Sequence, residues 1–116
     1  PLVLVCANQG STTHSIIEEG GIFAVNILAE HQQEVSNLFA SSKNESSRLE
    51  RVAWSEGETG APLIEEALAT LECKVHRAYR EGSHTIYIGE VQAVRTRDAT
   101  PLLYYQGGYR SLHCED

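Results

Sequence analysis

The chain has 116 residues, enough for one domain with its own hydrophobic core and too few for two. Hydrophobic residues make up 41% of it, yet no apolar run approaches the ~20 residues of a membrane-spanning helix, so no membrane partner is expected. The formal net charge of -7 and the absence of a basic run argue against nucleic acid as a partner.

The first forty residues predict two strands, each followed by a helix. Residues 2–7 form a continuous apolar run, which is typical of a strand buried on both faces. The hydroxyl residues at 11–13 can cap a short helix, and the two glycines at 20–21 end it. A second strand is predicted over 22–28, and a second helix over 32–40 with its apolar residues on one face.

The middle of the chain predicts a long loop, a helix and a strand. Residues 41–58 are polar and rich in serine and glutamate, which indicates a surface loop in which Trp54 serves as a structural cover. Apolar residues over 62–69 recur at helical spacing and predict a short helix. Apolar and polar residues then alternate over 71–76, which predicts a half-buried antiparallel strand.

The last third of the chain is the most informative part. Gly82 and Ser83 supply a turn, and a long strand is predicted over 85–96 with Gly89 as an internal break. A short apolar strand at 102–105 and a glycine-rich aromatic segment at 107–110 follow. The whole pattern predicts a mainly β fold with short helices, a barrel or sandwich that gathers polar and aromatic groups at one rim.

The cysteines and histidines indicate the compartment and argue against a metal. Cys6, Cys73 and Cys114 are odd in number and lack CxxC spacing, which indicates reduced thiols in the cytoplasm. Cys6 and Cys73 are expected to be buried within strands, and Cys114 to be exposed. The five histidines share no ligand spacing with one another or with the cysteines, so no metal site is predicted.

Four segments follow one another along the chain: PLVLVCAN with STTHSII over 1–17, FAVNILAEHQ over 23–32, GAPLIEEALATLECKV over 60–75, and a late segment with GSHTI and GEV over 82–91 and PLLYY and GGYR over 101–110. Together they resemble the flavin reductase-like family, the FMN-binding split barrels that serve as reductase components of two-component monooxygenases. The resemblance covers nearly the whole chain. It implies a single flavin reductase-like domain over 1–116 with an antiparallel split β-barrel, N-terminally incomplete because the family's first strands are missing.

Ser11 and Thr13 are candidate phosphate ligands. Hydroxyl groups and unpaired N–H groups at a helix N-terminus form an anion site, although the same residues also suit a plain helix cap. The resemblance places this loop near the FMN phosphate and ribityl chain of the family. Both interpretations stay open at this point.

The strand–helix junction around residue 26 is the candidate flavin-lining segment. Asn26 lies within an apolar strand, where its amide needs hydrogen-bond partners and can find them on a neighbouring backbone. The resemblance instead implies that Asn26, Ile27, Leu28 and Ala29 line the isoalloxazine ring and that Gln32 follows them at the helix start.

His84 and Tyr109 complete the candidate site. A histidine at the start of a strand can hydrogen-bond a nicotinamide carboxamide or donate a proton, or it can merely satisfy a turn carbonyl. The resemblance implies that His84 lies close to the flavin and the nicotinamide, and it is therefore the candidate catalytic residue. Tyr109 is expected to stack on or shield the flavin, and Tyr104 and Tyr105 to be core and interface residues.

The resemblance implies an enzyme, an NAD(P)H:flavin oxidoreductase that passes a hydride from NADH or NADPH to FMN or FAD. Reduced flavin would then pass to an oxygenase component, and the reductase would be a homodimer in the cytoplasm. Two alternatives stay open: a non-catalytic flavin-binding or structural split-barrel module, and a pyridoxamine-phosphate-oxidase-like protein, which would need a basic phosphate cradle. No Rossmann fingerprint distinguishes NADH from NADPH.

Overall fold

The computed structural model describes residues 1–43 and 45–113, and within them the chain is mainly β with short helices, as expected. In chain order the elements are β1 (Leu2–Asn8), α1 (Thr12–Gly20), β2 (Ile22–Ile27), a 3-10 turn (Glu30–Gln32), α2 (Gln33–Ala40), a 3-10 helix (Glu45–Arg51), β3 (Trp54–Glu56), β4 (Pro62–Ile64), β5 (Ala69–Glu81), β6 (His84–Thr96), β7 (Leu103–Tyr105) and β8 (Gly108–Arg110).

Four strands form the main sheet, in the order β1-β6-β5-β2, and the pairs β3-β4 and β7-β8 form two small sheets. β1 and β6 are antiparallel, with a register that runs from Leu2 opposite Glu90 to Asn8 opposite His84. The sheets of the described residues do not close into a barrel. None of the helices in this described part is long and apolar enough to cross a membrane.

The chain divides into two compact units, which are described separately. Unit 1 comprises Pro1–Val25, Glu56–Ala61 and Leu71–Val94. Unit 2 comprises Asn26–Ser55, Pro62–Thr70 and the remaining described residues, 95–113.

The core of unit 1 lies on one face of the main sheet. Its buried members are Ala7, Ile17, Phe23, Cys73 and Tyr87. A Cβ atom at Gly89 would lie 2.4 Å from Phe23 Cζ and 2.8 Å from Cys73 Cβ, so only glycine leaves room for this packing. The prediction that Gly89 interrupts the strand is wrong, because β6 runs through it without a break.

β1 is an edge strand and is not buried on both faces as predicted. Leu2 and Leu4 are 58% and 64% exposed, whereas Val3, Val5 and Ala7 point to the core side. Successive side chains of a strand point to opposite faces, and in β1 only one face is covered. The apolar run therefore predicted the strand correctly, but its prediction that both faces are buried is wrong.

The three cysteines had separate outcomes. Cys73 is buried as expected, and burial raises the pKa of its thiol. Cys6 is exposed, contrary to expectation, because it lies on the uncovered face of β1. Cys114 lies outside the described residues.

The predicted helix over 62–69 is wrong. Residues Pro62–Ile64 form strand β4, and Glu66 then adopts a positive φ of 64° in the turn that follows. The N–H of Ile64 donates to the side chain of Asn26, and the N–H of Glu65 donates to the carbonyl of Ala53. These long-range partners hold the segment extended and override its helical periodicity.

The preceding loop also contains more structure than predicted, with its own 3-10 helix and β3.

Candidate functional site

The first turn of α1 is the first part of the candidate site, and it lies in unit 1. Ser11 is extended, with φ of -89°, and caps the helix by accepting the N–H of His14 at 3.1 Å. Its own hydroxyl donates to the carbonyl of Asn8 at 2.7 Å. Thr12 and Thr13 are exposed, and their N–H groups are among those an α-helix leaves without intrahelical acceptors. The predicted cap is confirmed, and beside it two exposed residues have N–H groups without an intrahelical acceptor.

A second turn of unit 1 is bound to the first through Gln9. The N–H of Gln9 donates to the carbonyl of Ser83 at 2.9 Å, and its side-chain amide donates to the carbonyls of His84 at 2.8 Å and Gly82 at 3.3 Å. The structure thus joins the loop before α1 to the turn that carries His84. Sequence reasoning missed Gln9, whose only signal is a polar residue with both donors and an acceptor directly after a strand.

His84 presents its ring to solvent at this end of the β1–β6 pair. Its Nδ1 lies 2.8 Å from the hydroxyl of Ser83, and its Nε2 has no partner among the described residues. The alternative interpretation, in which the ring bonds a turn carbonyl, is not what the described residues show. An exposed imidazole with one nitrogen held and the other open is suited to hydrogen-bond or exchange a proton with a bound molecule.

A polar cluster of three buried residues and the exposed Glu18 lies behind these two turns, also within unit 1. His14 Nε2 lies 2.9 Å from Thr85 Oγ1, and the phenol of Tyr87 donates to Glu18 Oε1 at 2.6 Å. The imidazole and the Glu18 carboxylate are 3.8 Å apart, and the rings of His14 and Tyr87 are tilted with centroids 5.8 Å apart. Burial raises the pKa of Tyr87 to about 12, and the hydrogen bond that its phenol donates to Glu18 and the negative charge of Glu18 act in the same direction. None of these four residues was singled out from the sequence.

In unit 2, Asn26 is engaged at both ends of its amide. Its Oδ1 accepts the N–H of Ile64 at 2.8 Å, and its Nδ2 donates to the carbonyl of Pro62 at 3.3 Å. The interpretation that the amide binds a neighbouring backbone edge is therefore what the structure shows. Asn26 connects the end of β2 to β4.

Gln32 acts in the same way one turn later. It is 5% exposed, its Oε1 accepts the N–H of Ala29 at 2.9 Å, and its Nε2 donates to the carbonyl of Glu65 at 2.8 Å. The carbonyl of Leu28 accepts the N–H of Leu102 at 3.0 Å, and Ala29 forms a bridge with Pro101. The polar groups of this segment are thus largely engaged within unit 2.

Apolar surface remains available beside the same segment. Ile27 is 44% exposed. Leu28 lines a cavity of about 200 Å³ together with Phe39, Leu49 and Ile64. The surface that this segment of unit 2 offers to a ligand is therefore apolar.

Tyr109 is fastened to α2. Its phenol oxygen lies 2.8 Å from Ser36 Oγ and 2.9 Å from Asn37 Oδ1, and its ring meets Tyr104 edge-on at 5.2 Å. Tyr104 and Tyr105 were expected to be core and interface residues. They are 67% and 63% exposed, so neither belongs to a core of the described residues. Tyr109 is a bridge between β8 and α2 within unit 2.

Comparison with known proteins identifies the family. Residues 1–113 match the family described as flavin reductase like domain. The FMN reductase (NADH) RutF of Stutzerimonas stutzeri is 36% identical over 113 residues, which are 97% of this chain and 64% of RutF. HsaB of Mycobacterium tuberculosis, the reductase subunit of a flavin-dependent monooxygenase, is 37% identical over 121 residues, which are 99% of this chain and 62% of HsaB. The chain thus spans less than two thirds of the length of these relatives.

Solved structures show the same fold. The NADH:FAD oxidoreductase SgcE6 of Streptomyces globisporus C-1027 superposes with a TM-score of 0.91 at 34% identity, covering 98% of this chain and 70% of that one. A structure of SgcE6 in complex with NAD and FAD fragments superposes with a TM-score of 0.89 at 35% identity, covering 97% of this chain and 68% of that one. These neighbours confirm the split-barrel prediction.

Proposed function

The chain belongs to the flavin reductase-like domain family, and we propose that it is an NADH-dependent flavin reductase that transfers a hydride from the nicotinamide to FMN or FAD. The observation that carries the proposal is the end of unit 1, where the exposed first turn of α1 and the open imidazole of His84 are joined through Gln9. RutF and SgcE6 are named as NADH-dependent reductases of FMN and FAD, which supports this choice of substrates.

The flavin phosphate is proposed to bind at the first turn of α1. The turn holds no acidic residue, and Thr12 and Thr13 are exposed residues whose N–H groups lack intrahelical acceptors. Unpaired N–H groups and the helix dipole both favour an anion, and in a chain of net charge -7 such a local site is needed. Ser11 holds the turn through its cap, and Thr13 offers its hydroxyl.

His84 is proposed to contact the nicotinamide or the reacting flavin ring. Hydride transfer is the chemistry of the two bound cofactors, and the protein has to bind and orient them. Ser83 and Gln9 hold the imidazole and the backbone of His84 respectively, so the ring is positioned before any ligand binds. Its Nε2 is the atom that donates the hydrogen bond or the proton.

For unit 2 we propose two kinds of role. Ile27 and Leu28 offer the flavin apolar contact, because their side chains are exposed or line a cavity. Asn26, Ala29 and Gln32 hold the shape of this segment through the bonds described above. Tyr109 does the same for the segment that follows β7.

We also propose that the protein is a cytoplasmic homodimer that supplies reduced flavin to an oxygenase component. HsaB is named as a reductase subunit of a monooxygenase, which supports such a partner. The exposed Leu2 and Leu4 on edge strand β1 support association of two copies. Cys6 and Cys73 are free, as expected of thiols in a reducing compartment. Sedimentation of the purified chain tests the dimer.

The test of the proposed function is NADH oxidation by the chain with FMN or FAD added, together with flavin binding by equilibrium titration. Flavin-dependent oxidation of NADH supports the proposal. Flavin binding without oxidation favours the non-catalytic flavin-binding module instead. If the folded chain neither binds flavin nor oxidises NADH, the proposal is wrong.

A further inference from the structure

His14 is a buried titratable residue that the proposed reaction does not use. It lies in the first turn of α1, and its side chain is almost wholly buried. A buried imidazole needs hydrogen-bond partners, and the partners of His14 indicate its role. They lie on the two parts of unit 1 that form the candidate site.

The main chain of His14 holds one of these parts. Its N–H donates to the hydroxyl of Ser11 at 3.1 Å, and this bond is the cap that fixes the loop entering α1. The exposed N–H groups of Thr12 and Thr13 lie between these two residues in the chain. Their direction therefore depends on the bond between Ser11 and His14.

The side chain of His14 holds the other part. Its Nε2 lies 2.9 Å from the hydroxyl of Thr85, a residue with no exposed surface that directly follows His84. Thr85 points to the core face of β6 and His84 to the opposite face. A rotation of the backbone at residue 85 would therefore move the imidazole of His84 as well.

The surrounding groups keep the imidazole of His14 in place. Glu18 is 3.8 Å from Nε2, and Tyr87 packs against the ring and donates to the same carboxylate. Because Glu18 lies one turn along the same helix, the carboxylate and the phenol connect α1 and β6 a second time. The hydrogen bond between His14 and Thr85 is the connection that lies nearer to His84.

We propose that His14 is a positioning residue, which holds the first turn of α1 and the imidazole of His84 in a fixed arrangement by bonding Ser11 through its main chain and Thr85 through its side chain. The inference rests on the proposed function, since the two parts matter as the sites of the flavin phosphate and of hydride transfer. His14 itself touches neither ligand and acts only through Thr85 and Ser11.

Three variants separate positioning from simple packing. His14→Phe keeps a ring in the core and removes the bond to Thr85. Thr85→Val removes only the hydroxyl from the other side of the same bond. His14→Gln retains a side-chain donor that can reach Thr85, and His76→Gln, at an exposed histidine of β5, is the control.

The readouts are the hydride-transfer rate in single turnovers and the NMR signal of His84 in protein labelled at its five histidine rings. We expect His14→Phe and Thr85→Val each to slow hydride transfer about tenfold and to shift or broaden the His84 signal, since small misplacements of a reacting group have large effects on rate. The double variant should be no slower than either single variant. His14→Gln should recover most of the rate.

Two results would overturn the inference. One is a His84 signal that is unchanged in folded Thr85→Val, and the other is a hydride-transfer rate that is unchanged although the signal moves. If the wild-type chain reduces no flavin, the proposed function has failed, and the His84 signal alone then decides whether His14 fixes that ring. Should His14→Phe not fold, Thr85→Val carries the test, because it changes one buried hydroxyl.

Discussion

Unit 1 and unit 2 both place polar residues where the family resemblance points, but they use those residues differently. In unit 1, His84 keeps Nε2 open, and the first turn of α1 keeps N–H groups open. In unit 2, the amides of Asn26 and Gln32 are engaged at both ends with backbone groups of the same unit. Whether a polar side chain in a candidate site is free to bind a ligand or is already bonded to the protein therefore depends on partners that lie far away in sequence.

The largest effect should come from breaking an amide of unit 2. Gln32→Leu leaves the buried N–H of Ala29 and the partly buried carbonyl of Glu65 without their partner, at about 1–3 kcal/mol for the buried group and less for the other. We expect the free energy of unfolding, measured in urea, to fall by about 2–4 kcal/mol. Gln33→Leu, at an exposed neighbour, should change it little and is the control. A small effect of Gln32→Leu would show that the two hydrogen bonds of its amide contribute little to the stability of this segment.

The opposite result is expected at the open imidazole of unit 1. His84→Gln should lower the hydride-transfer rate by about 10- to 100-fold, at or below the low end of what a positioned proton donor contributes, while the unfolding midpoint stays within error. The ring is exposed, and its only side-chain partner within residues 1–43 and 45–113 is Ser83, so little stability depends on it. Equal rates in the two proteins would make His84 a turn residue without a part in the reaction.

Features set by neighbouring residues could be predicted from the sequence, whereas hydrogen bonds between residues distant in sequence could not. The cap at Ser11, the helix end at the glycines and the turn at Gly82 are set by neighbouring residues, and the structure confirms them. The partners of Asn26 lie 36 and 38 residues away, and those segments had been predicted as helix. The sequence pattern therefore identified which residues are polar in apolar surroundings but not what they bind.

The same reasoning explains the error at β1. An apolar run reports strand propensity, which is a local property, whereas burial on both faces depends on what the fold places on each side. Leu2 and Leu4 lie on the uncovered face of an edge strand, and nothing in the run itself distinguishes them from Val3 and Val5. The resemblance supplied the split-barrel fold, and the edge position of β1 became visible only in the structure.

The buried cluster behind the open groups of unit 1 should have its own dependence on pH. The pKa of Tyr87 is raised from 10.0 to about 12, so the folded state holds the phenol proton more tightly than the unfolded state. The stability from this proton is present below pH 10 and is lost as the pH rises through 12. Urea unfolding between these pH values should show a decline that is weaker in Tyr87→Phe. An equal decline in both proteins would assign the alkaline loss to other groups.

The smallest effect, and the one that tests the open turn most directly, is expected from Thr13→Glu. A carboxylate in the first turn of a helix interacts favourably with the positive end of the helix dipole and should raise the free energy of unfolding by about 0.3–1 kcal/mol. The same carboxylate should weaken binding of FMN, because it repels a phosphate at the exposed N–H groups of Thr12 and Thr13. Thr13→Gln is the control, since it has the same length without the charge.

Titration with FMN and with riboflavin, which lacks the phosphate, separates the two effects: affinity should fall for FMN alone. A loss for both ligands would place the flavin ring at this turn, and no loss for either would leave Ser11 and Thr13 as a helix cap only.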